Sequence, residues 1–208
     1  TPFQLNLAED LRTFLRVRRL GSVFLLNFLY SNLFFGSSTS VALLAQQLLE
    51  AKAPAWGLGV GAWIGIVTLA LTLSSVVALP WWGRALDRFD PRSVLTVTLV
   101  AALVFSLPFP FVQSPVQLTL GRIGLGLFAV GAAPALARLT RDLAPPGTVA
   151  RALGFGNALF LLGNGMAPVV AGIIGPWLGL RAYFGYNVLL ALAGLLLWIR
   201  RRPPEPAA

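Results

Sequence analysis

Six long apolar segments constrain the fold of this chain more than any other feature of its 208 residues. Each holds about 18 or more mostly apolar residues, enough for a helix to cross the ~30 Å hydrocarbon core of a bilayer. The short alternating segments of an outer-membrane β-barrel are missing from the sequence. We therefore predict an all-α, polytopic membrane protein with six transmembrane helices. They are expected over residues 23–49, 58–82, 94–112, 116–137, 152–177 and 182–199.

The composition agrees with a chain that is surrounded by lipid. Hydrophobic residues make up 57% of the sequence and charged residues 11%, and a water-soluble fold of this size could not bury so much apolar surface. The segments divide the chain into three predicted parts: a cytoplasmic linker or interfacial segment over residues 1–22, a transmembrane bundle over residues 23–199 and a cytoplasmic tail over residues 200–208. The expected location is the inner (plasma) membrane.

Basic residues are concentrated in alternate connections between the segments. Thirteen of the sixteen lysines and arginines fall on one side, the opposite connections hold Lys52 and Arg181, and Arg122 lies inside a segment. Positive charge in short loops marks the cytoplasmic side of a membrane protein, so both termini are predicted to be cytoplasmic. The thirteen are Arg12, Arg16, Arg18, Arg19, Arg84, Arg88, Arg92, Arg138, Arg141, Arg151, Arg200, Arg201 and Arg202.

Two missing residue types exclude whole classes of function. The chain has no cysteine and no histidine, which excludes disulfides, thiol chemistry, zinc sites built from these ligands and catalysis by histidine. None of the six segments contains a carboxylate, so a nucleophile–base pair for an intramembrane enzyme is absent as well. We predict no enzyme activity, no cofactor and no metal site. The net charge of +9 lies in membrane loops, so no nucleic-acid partner is expected.

The connection after the second segment carries the most specific pattern in the sequence. Gly83 is expected to end a helix with positive φ, and Asp87 and Asp90 are expected to precede the next helix, whose N-terminus favours an anion. Arg88 and Arg92 could then pair with these carboxylates and hold two helices together. A solvated, positively charged loop explains the same residues and stays open as the alternative.

This turn resembles the motif that the major facilitator superfamily carries between the second and third helices of each six-helix half. Gly83, Asp87, Arg88 and Arg92 match the family pattern, whereas Asp90 and Pro91 stand where the family has glycine and a basic residue. The resemblance implies that the four matching residues form a gate on the cytoplasmic face.

The fifth segment resembles the antiporter motif of the same family. Gly154, Gly163, Pro168 and Gly172 match, with alanine at positions 167 and 171 where the family has glycine. The resemblance implies a helix that seals the transport cavity and blocks leak. A proline-kinked helix whose small residues only allow close packing is the alternative. The spacing of Gly57, Gly61 and Gly65 at the start of the second segment similarly predicts a close helix contact.

Arg122 is the one basic residue inside a predicted span. An arginine at the bilayer centre costs ~2.5 to 3.5 kcal/mol on insertion scales, so such a residue usually faces inward and is functional. Its surroundings resemble the fourth-helix motif of the family, whose arginine is implicated in proton coupling. The alternative is a side chain that snorkels to the membrane interface.

Scattered polar residues are candidates for a substrate path. Buried amides and hydroxyls need partners, which a watery path between helices provides, although hydrogen bonds between helices explain them equally well. Near one end of the bundle, Tyr183, Tyr186 and Trp177 are interpreted as an interfacial aromatic belt. The substrate-path candidates are Asn27, Tyr30, Asn32, Asn157 and Asn164.

The resemblance covers the chain from Val23 to Ile199 and implies the C-terminal half of a carrier similar to bacterial drug-efflux antiporters. The resemblance implies that this half is a 3+3 inverted repeat of six helices. It also implies that the carrier exports small lipophilic molecules by proton-coupled alternating access. The implied partners are the bilayer, a small-molecule substrate, and an N-terminal six-helix half or a second copy. The titratable group is then expected in the other half. A non-transporting membrane scaffold or assembly subunit is the alternative function.

Overall fold

The computed structural model describes residues 12, 14, 17–34, 38–50 and 57–201. This part of the chain is all-α, as predicted. It contains eight α-helices, a short 3-10 helix at Phe109–Phe111 and a π-helical turn at Leu125–Ala129. The α-helices are α1 (Arg18–Phe34), α2 (Ser38–Glu50), α3 (Val60–Arg88), α4 (Pro91–Ser106), α5 (Pro115–Gly124), α6 (Ala132–Leu143), α7 (Val149–Leu178) and α8 (Leu180–Arg201).

Five stretches of the described chain are long and apolar enough to cross a membrane. They coincide with the second to sixth predicted segments and are called the second to sixth spans below. The first predicted segment corresponds to α1 and α2, with 17 and 13 residues, and residues 35–37 between them lie outside the described part, so the sixth span stays a prediction. The five stretches are Val60–Arg88, Pro91–Phe111, Pro115–Leu143, Val149–Leu178 and Leu180–Arg201.

Local signals set the start of α4, but one predicted helix end is wrong. The Asp90 carboxylate accepts a hydrogen bond from the Arg92 N–H at 2.9 Å, and Pro91 occupies the first turn of α4, a favourable capping arrangement. Gly83, in contrast, does not end α3, which continues to Arg88. The helix continues because buried Leu86 extends its packed face by another turn.

The first helix packs most extensively against α7, with further contacts to α6 and α8. Its approach to α7 is close because every buried residue of α7 is glycine or alanine. A Cβ atom added at Gly163 would lie 2.3 Å from the Phe28 carbonyl oxygen. Small residues therefore bring these two backbones together, as in other membrane bundles.

The predicted glycine contact of the second span is wrong for the described chain. No atom lies within 4 Å of a Cβ built at Gly57, Gly61 or Gly65, so these residues face open space. Close contacts occur instead at the fourth span, where a Cβ at Gly126 would meet Ser74 and one at Gly131 would meet Trp82. Glycine spacing alone does not tell which face of an apolar helix is packed.

The fourth span is interrupted at membrane depth. Helix α5 passes into the π-helical turn and α6 begins at Ala132. The carbonyl oxygens in this break accept hydrogen bonds from two other helices: the Trp82 indole donates to Leu127 at 2.8 Å and the Tyr30 hydroxyl donates to Ala129 at 3.2 Å. These donors make the interruption tolerable, because an unsatisfied carbonyl in lipid is costly.

The arginine-bearing turns lie at one end of the bundle, called the arginine-rich end below. The Arg138 guanidinium near the end of α6 donates to the Leu86 carbonyl near the end of α3, which joins the turn after α3 to the connection after α6. At the opposite end, Arg181 donates to the Val112 carbonyl at 3.2 Å. The grouping of the charged turns agrees with the predicted topology, while the compartment that each end faces stays a prediction.

Candidate functional site

A charged depression of about 420 Å³ lies at the arginine-rich end, between the α3–α4 turn and the end of α6. It contains three of the four residues predicted as a gate, Asp87, Arg88 and Arg92, whereas Gly83 is not among its lining residues. Asp87 belongs to the last turn of α3, so the expectation that it precedes the next helix is wrong and Asp90 alone caps α4.

The side chain that joins two helices at this depression is Arg138. Its guanidinium reaches a carbonyl in the last turn of α3, where the helix dipole favours a positive charge. The nearby ion pair joins Arg141 to Asp142 at 3.5 Å, and both side chains are about half exposed, so it adds little stability. The sequence-based interpretation included Arg138 only among the cytoplasmic loop charges. Its position near the end of a predicted span was the signal that it lies at the same end of the bundle as the α3–α4 turn.

The four residues of the antiporter-like motif do not share one face of α7. Gly163 is buried against α1, whereas Gly154, Pro168 and Gly172 are exposed. Helix α7 passes through Pro168 and Pro176 as one continuous element. The motif therefore supplies one close contact inside the described chain and an open surface outside it.

Arg122 is buried, with 1% of its surface exposed. It lies in the last turn of α5, directly before the π-helical turn, and its guanidinium donates to the Ser38 hydroxyl at 3.1 Å. A snorkelling side chain would reach the surface, so the structure favours the inward alternative.

Two of the substrate-path candidates line a common cavity of about 200 Å³ between α1, α6 and α7: Asn27 and Asn157. The amide nitrogen of Asn27 donates to the Val23 carbonyl at 3.1 Å, which orients the side chain, while Asn157 is exposed. Thr140 and Phe160 complete the polar and aromatic wall. The arrangement offers amide and hydroxyl groups to a small neutral or weakly polar molecule.

The other three candidates lie elsewhere. Tyr30 is buried and its hydroxyl is engaged by the break in the fourth span. Asn32 is 1% exposed, and neither polar atom of its amide has a hydrogen-bond partner among the described residues. Asn164 is half buried and is not among the residues that line the cavity. Tyr183 is also buried, so its interpretation as an interfacial residue is wrong, whereas Trp177 is 86% exposed.

A third cavity, which is larger than the other two, was not predicted from the sequence. It measures about 740 Å³ and lies opposite the arginine-rich end, between α2, the second half of α7 and the start of α8. Glu50 lines it as the last residue of α2, one residue beyond the predicted end of the first segment. The position of Glu50 directly after an apolar segment could have indicated this role, because a charged residue at the end of a span lies at the mouth of any cavity between the helices.

The chain is similar to known proteins of one family. The family model described as Major Facilitator Superfamily matches residues 9–208. Similar curated proteins include the uncharacterized MFS-type transporter YuxJ of Bacillus subtilis, 30% identical over 66% of this chain and 36% of that protein.

Two further relatives carry names that refer to drug resistance. A multi-drug resistance efflux pump PmrA homolog of Lactococcus lactis is 28% identical over 64% of this chain and 33% of that protein. The multidrug resistance protein MdtG of Klebsiella pneumoniae is 26% identical over 64% of this chain and 31% of that protein. The matched part of the chain therefore spans about a third of the length of these relatives.

Proposed function

Because this chain belongs to the Major Facilitator Superfamily, we propose that it forms one six-helix half, the C-terminal one, of an efflux carrier in the inner membrane. The carrier exports small lipophilic molecules by alternating access and is coupled to protons. The observation that carries this proposal is the open face of α7 beside the Asn27–Asn157 cavity. A substrate bound there contacts this half on one side and needs an opposing wall on the other.

Helix α7 is the least buried of the five candidate spans. In its most apolar stretch 11% of the residues are buried, compared with 28% or more in the other four spans. Its exposed face carries Gly154 and Gly172, with open space around both, and the polar Asn157. Glycine and a carboxamide are poor choices for a face that meets only lipid chains, but they suit a close contact with another helix. The partner that covers this face is an N-terminal six-helix half or a second copy.

The depression at the arginine-rich end supports a gate in this proposal. Arg138 holds the ends of α3 and α6 together through the Leu86 carbonyl, and Asp87, Arg88 and Arg92 surround this contact. A rearrangement within this half that separates these helix ends would break one charge-assisted hydrogen bond, worth ~1.5 to 3 kcal/mol. The contact therefore biases the closed arrangement without locking it.

Arg122 contributes to coupling as a fixed positive charge in this proposal. Arginine keeps its proton at accessible pH, so it does not carry the transported proton itself. Its hydrogen bond to Ser38 joins α5 to α2 beside the break in the fourth span. We place the group that takes up and releases the proton in the opposing half.

Flux measurements test the transport proposal. The purified chain, alone and together with the half or second copy that co-purifies with it, is reconstituted in proteoliposomes, and ethidium flux is driven by a pH gradient. We expect flux only in the paired sample. Absence of flux from the paired sample contradicts the proposal and favours the scaffold alternative.

A pair of asparagine variants locates the substrate path. Asn157→Leu is expected to reduce the flux, because it removes an amide from the cavity wall. Asn164→Leu on the same helix does not touch that cavity and serves as the matched control. Equal losses in the two variants would contradict an Asn27–Asn157 site.

Labelling of single cysteines tests the orientation, since these 208 residues contain no cysteine. Phe89→Cys and Pro146→Cys, in two exposed connections at the arginine-rich end, are expected to react only with a reagent that has entered the cytoplasm. Gln113→Cys, in an exposed loop at the opposite end, is expected to react from outside. Labelling of Phe89→Cys and Pro146→Cys from different sides contradicts the topology.

A further inference from the structure

The large cavity opposite the arginine-rich end has both apolar and charged walls. Buried Ala171 lines its base, the exposed residues Leu43 and Pro168 line its side, and Glu50 and Arg181 line its mouth. The ten residues of α2 from the base to the mouth correspond to ~15 Å along the helix axis. With a volume of about 740 Å³, the cavity falls in the size range of small-molecule sites.

Opposite charges line the mouth without being paired with each other. In this part of the described chain each is held by a neutral partner: the Gln46 amide donates to a Glu50 carboxylate oxygen at 2.8 Å, and Arg181 donates to the Val112 carbonyl at 3.2 Å. Both charged groups are therefore oriented by the protein before any ligand arrives. Because the other described carboxylates lie at the arginine-rich end, Glu50 alone supplies negative charge here.

A buried hydroxyl lies at the base of the cavity. Ser40 lines the cavity, is 1% exposed, and its Oγ has no hydrogen-bond partner of good geometry among the described residues, although Tyr183 lies next to it. The neighbouring Tyr183 hydroxyl can share one hydrogen bond with Ser40, and a ligand oxygen at this depth can take part in the second one that a hydroxyl makes.

We propose that this cavity binds a zwitterionic phospholipid of the surrounding bilayer. The Glu50 carboxylate contacts the ammonium group, Arg181 contacts the phosphate, and Ser40 lies within reach of the ester region below them. The acyl chains leave sideways past the exposed side chains of Leu43 and Leu178, which are 47% and 73% exposed. A purely cationic ligand would leave Arg181 unopposed, and a purely anionic ligand would leave Glu50 unopposed.

Native mass spectrometry of the purified chain tests the charge pattern. Lysophosphatidylethanolamine is compared with anionic lysophosphatidylglycerol and with an alkylammonium of equal chain length. We expect the zwitterion to bind about tenfold or more tightly than either singly charged amphiphile, since each charge-assisted contact is worth ~1.5 kcal/mol or more. Equal affinity for all three amphiphiles overturns the proposal.

Charge variants identify the contacts. Glu50→Gln is expected to remove the preference for the zwitterion over the anionic amphiphile. Arg181→Gln is expected to remove the preference for the zwitterion over the cationic amphiphile. Asp142→Asn and Arg141→Gln, at exposed sites of the opposite end, remove the same charges and are expected to leave both preferences unchanged. Equal effects in a variant and its control overturn the assignment.

Two further measurements distinguish the loss of a charge from misfolding, and a lipid ligand from its free head group. Arg181→Lys keeps the positive charge and is expected to retain the preference that Arg181→Gln loses, which a merely unfolded variant would not show. Free glycerophosphoethanolamine has the same phosphodiester head group without the chain and is expected to bind at least tenfold more weakly than the lipid. Equal binding of the free head group overturns the lipid source. None of these measurements depends on transport, so the proposed efflux function stands or falls separately.

Discussion

The fourth and fifth spans differ in a way that local sequence does not predict. Pro115–Leu143 is the most buried span, with 56% of its most apolar stretch buried, and it is interrupted by a π-helical turn. Val149–Leu178 is the least buried, with 11%, and it is continuous although two prolines lie inside it. Proline removes a hydrogen bond from a helix, so proline content alone would place the break in the other span.

Tertiary hydrogen bonds explain the difference. Pro134 accounts for a lost bond to Val130 but not for the π-helical turn that begins at Leu125. Trp82 and Tyr30 supply donors to the carbonyl oxygens of the break. Helix α7 has no comparable set of neighbours on its exposed face among the described residues. An interrupted helix is stable in a membrane where other helices complete its backbone bonds.

The largest expected effect is a glycine substitution in the packed span. A Cβ at Gly126 would lie 1.8 Å from Ser74 Oγ and 2.7 Å from the Leu71 carbonyl oxygen. Gly126→Ala should therefore destabilise the protein by about 2 to 3 kcal/mol through overpacking. Gly165→Ala on α7 meets no atom within 4 Å and is the control. Thermal unfolding in detergent measures both, and equal shifts would contradict the contrast between the spans.

The next effect isolates one hydrogen bond of the break. Trp82→Phe keeps an aromatic ring but leaves the Leu127 carbonyl without its donor, which should cost about 1 to 3 kcal/mol. Trp81→Phe changes the neighbouring side chain, which is 62% exposed, and should change the free energy of unfolding by less than about 0.5 kcal/mol. A Trp82→Phe protein as stable as the natural one would show that the carbonyl finds another donor.

A smaller loss is expected from the second donor. Tyr30→Phe removes the hydroxyl that reaches Ala129 at 3.2 Å, a longer bond than that of Trp82. We expect a loss of about 1 kcal/mol in the same unfolding measurement. Combined with Trp82→Phe, the loss should exceed the sum of the single losses if both donors support one break. Simple additivity would show that the two hydrogen bonds act independently.

The smallest change in stability is expected on the open face of α7. Leu161 is 58% exposed, so Leu161→Ala should change the free energy of unfolding of the isolated chain by less than about 0.5 kcal/mol. Recovery of the partner half or second copy in co-purification should nevertheless decrease, because the side chain lies on the face proposed to be covered. Unchanged recovery would indicate that lipid alone meets this face.

The spans and the placement of the charged turns could be predicted from local sequence. A run of apolar residues specifies a spanning helix by its length, and arginines between runs specify an end of the bundle. The five candidate spans overlap the predicted segments, and Arg138 and the turn after α3 meet at one end. The family resemblance was also readable from the motifs, and the match over residues 9–208 confirms it.

The tertiary structure alone decided which face of each helix is packed. A helix that is apolar on all sides has no polar face to mark its exposed side, so the contact predicted at Gly61 was wrong while Gly126 and Gly163 are tightly packed. The same reason applies to the burial of Arg122, the common cavity of Asn27 and Asn157, and the cavity at Glu50. Each depends on contacts between residues far apart in the chain, which hydrophobic length and charge do not encode.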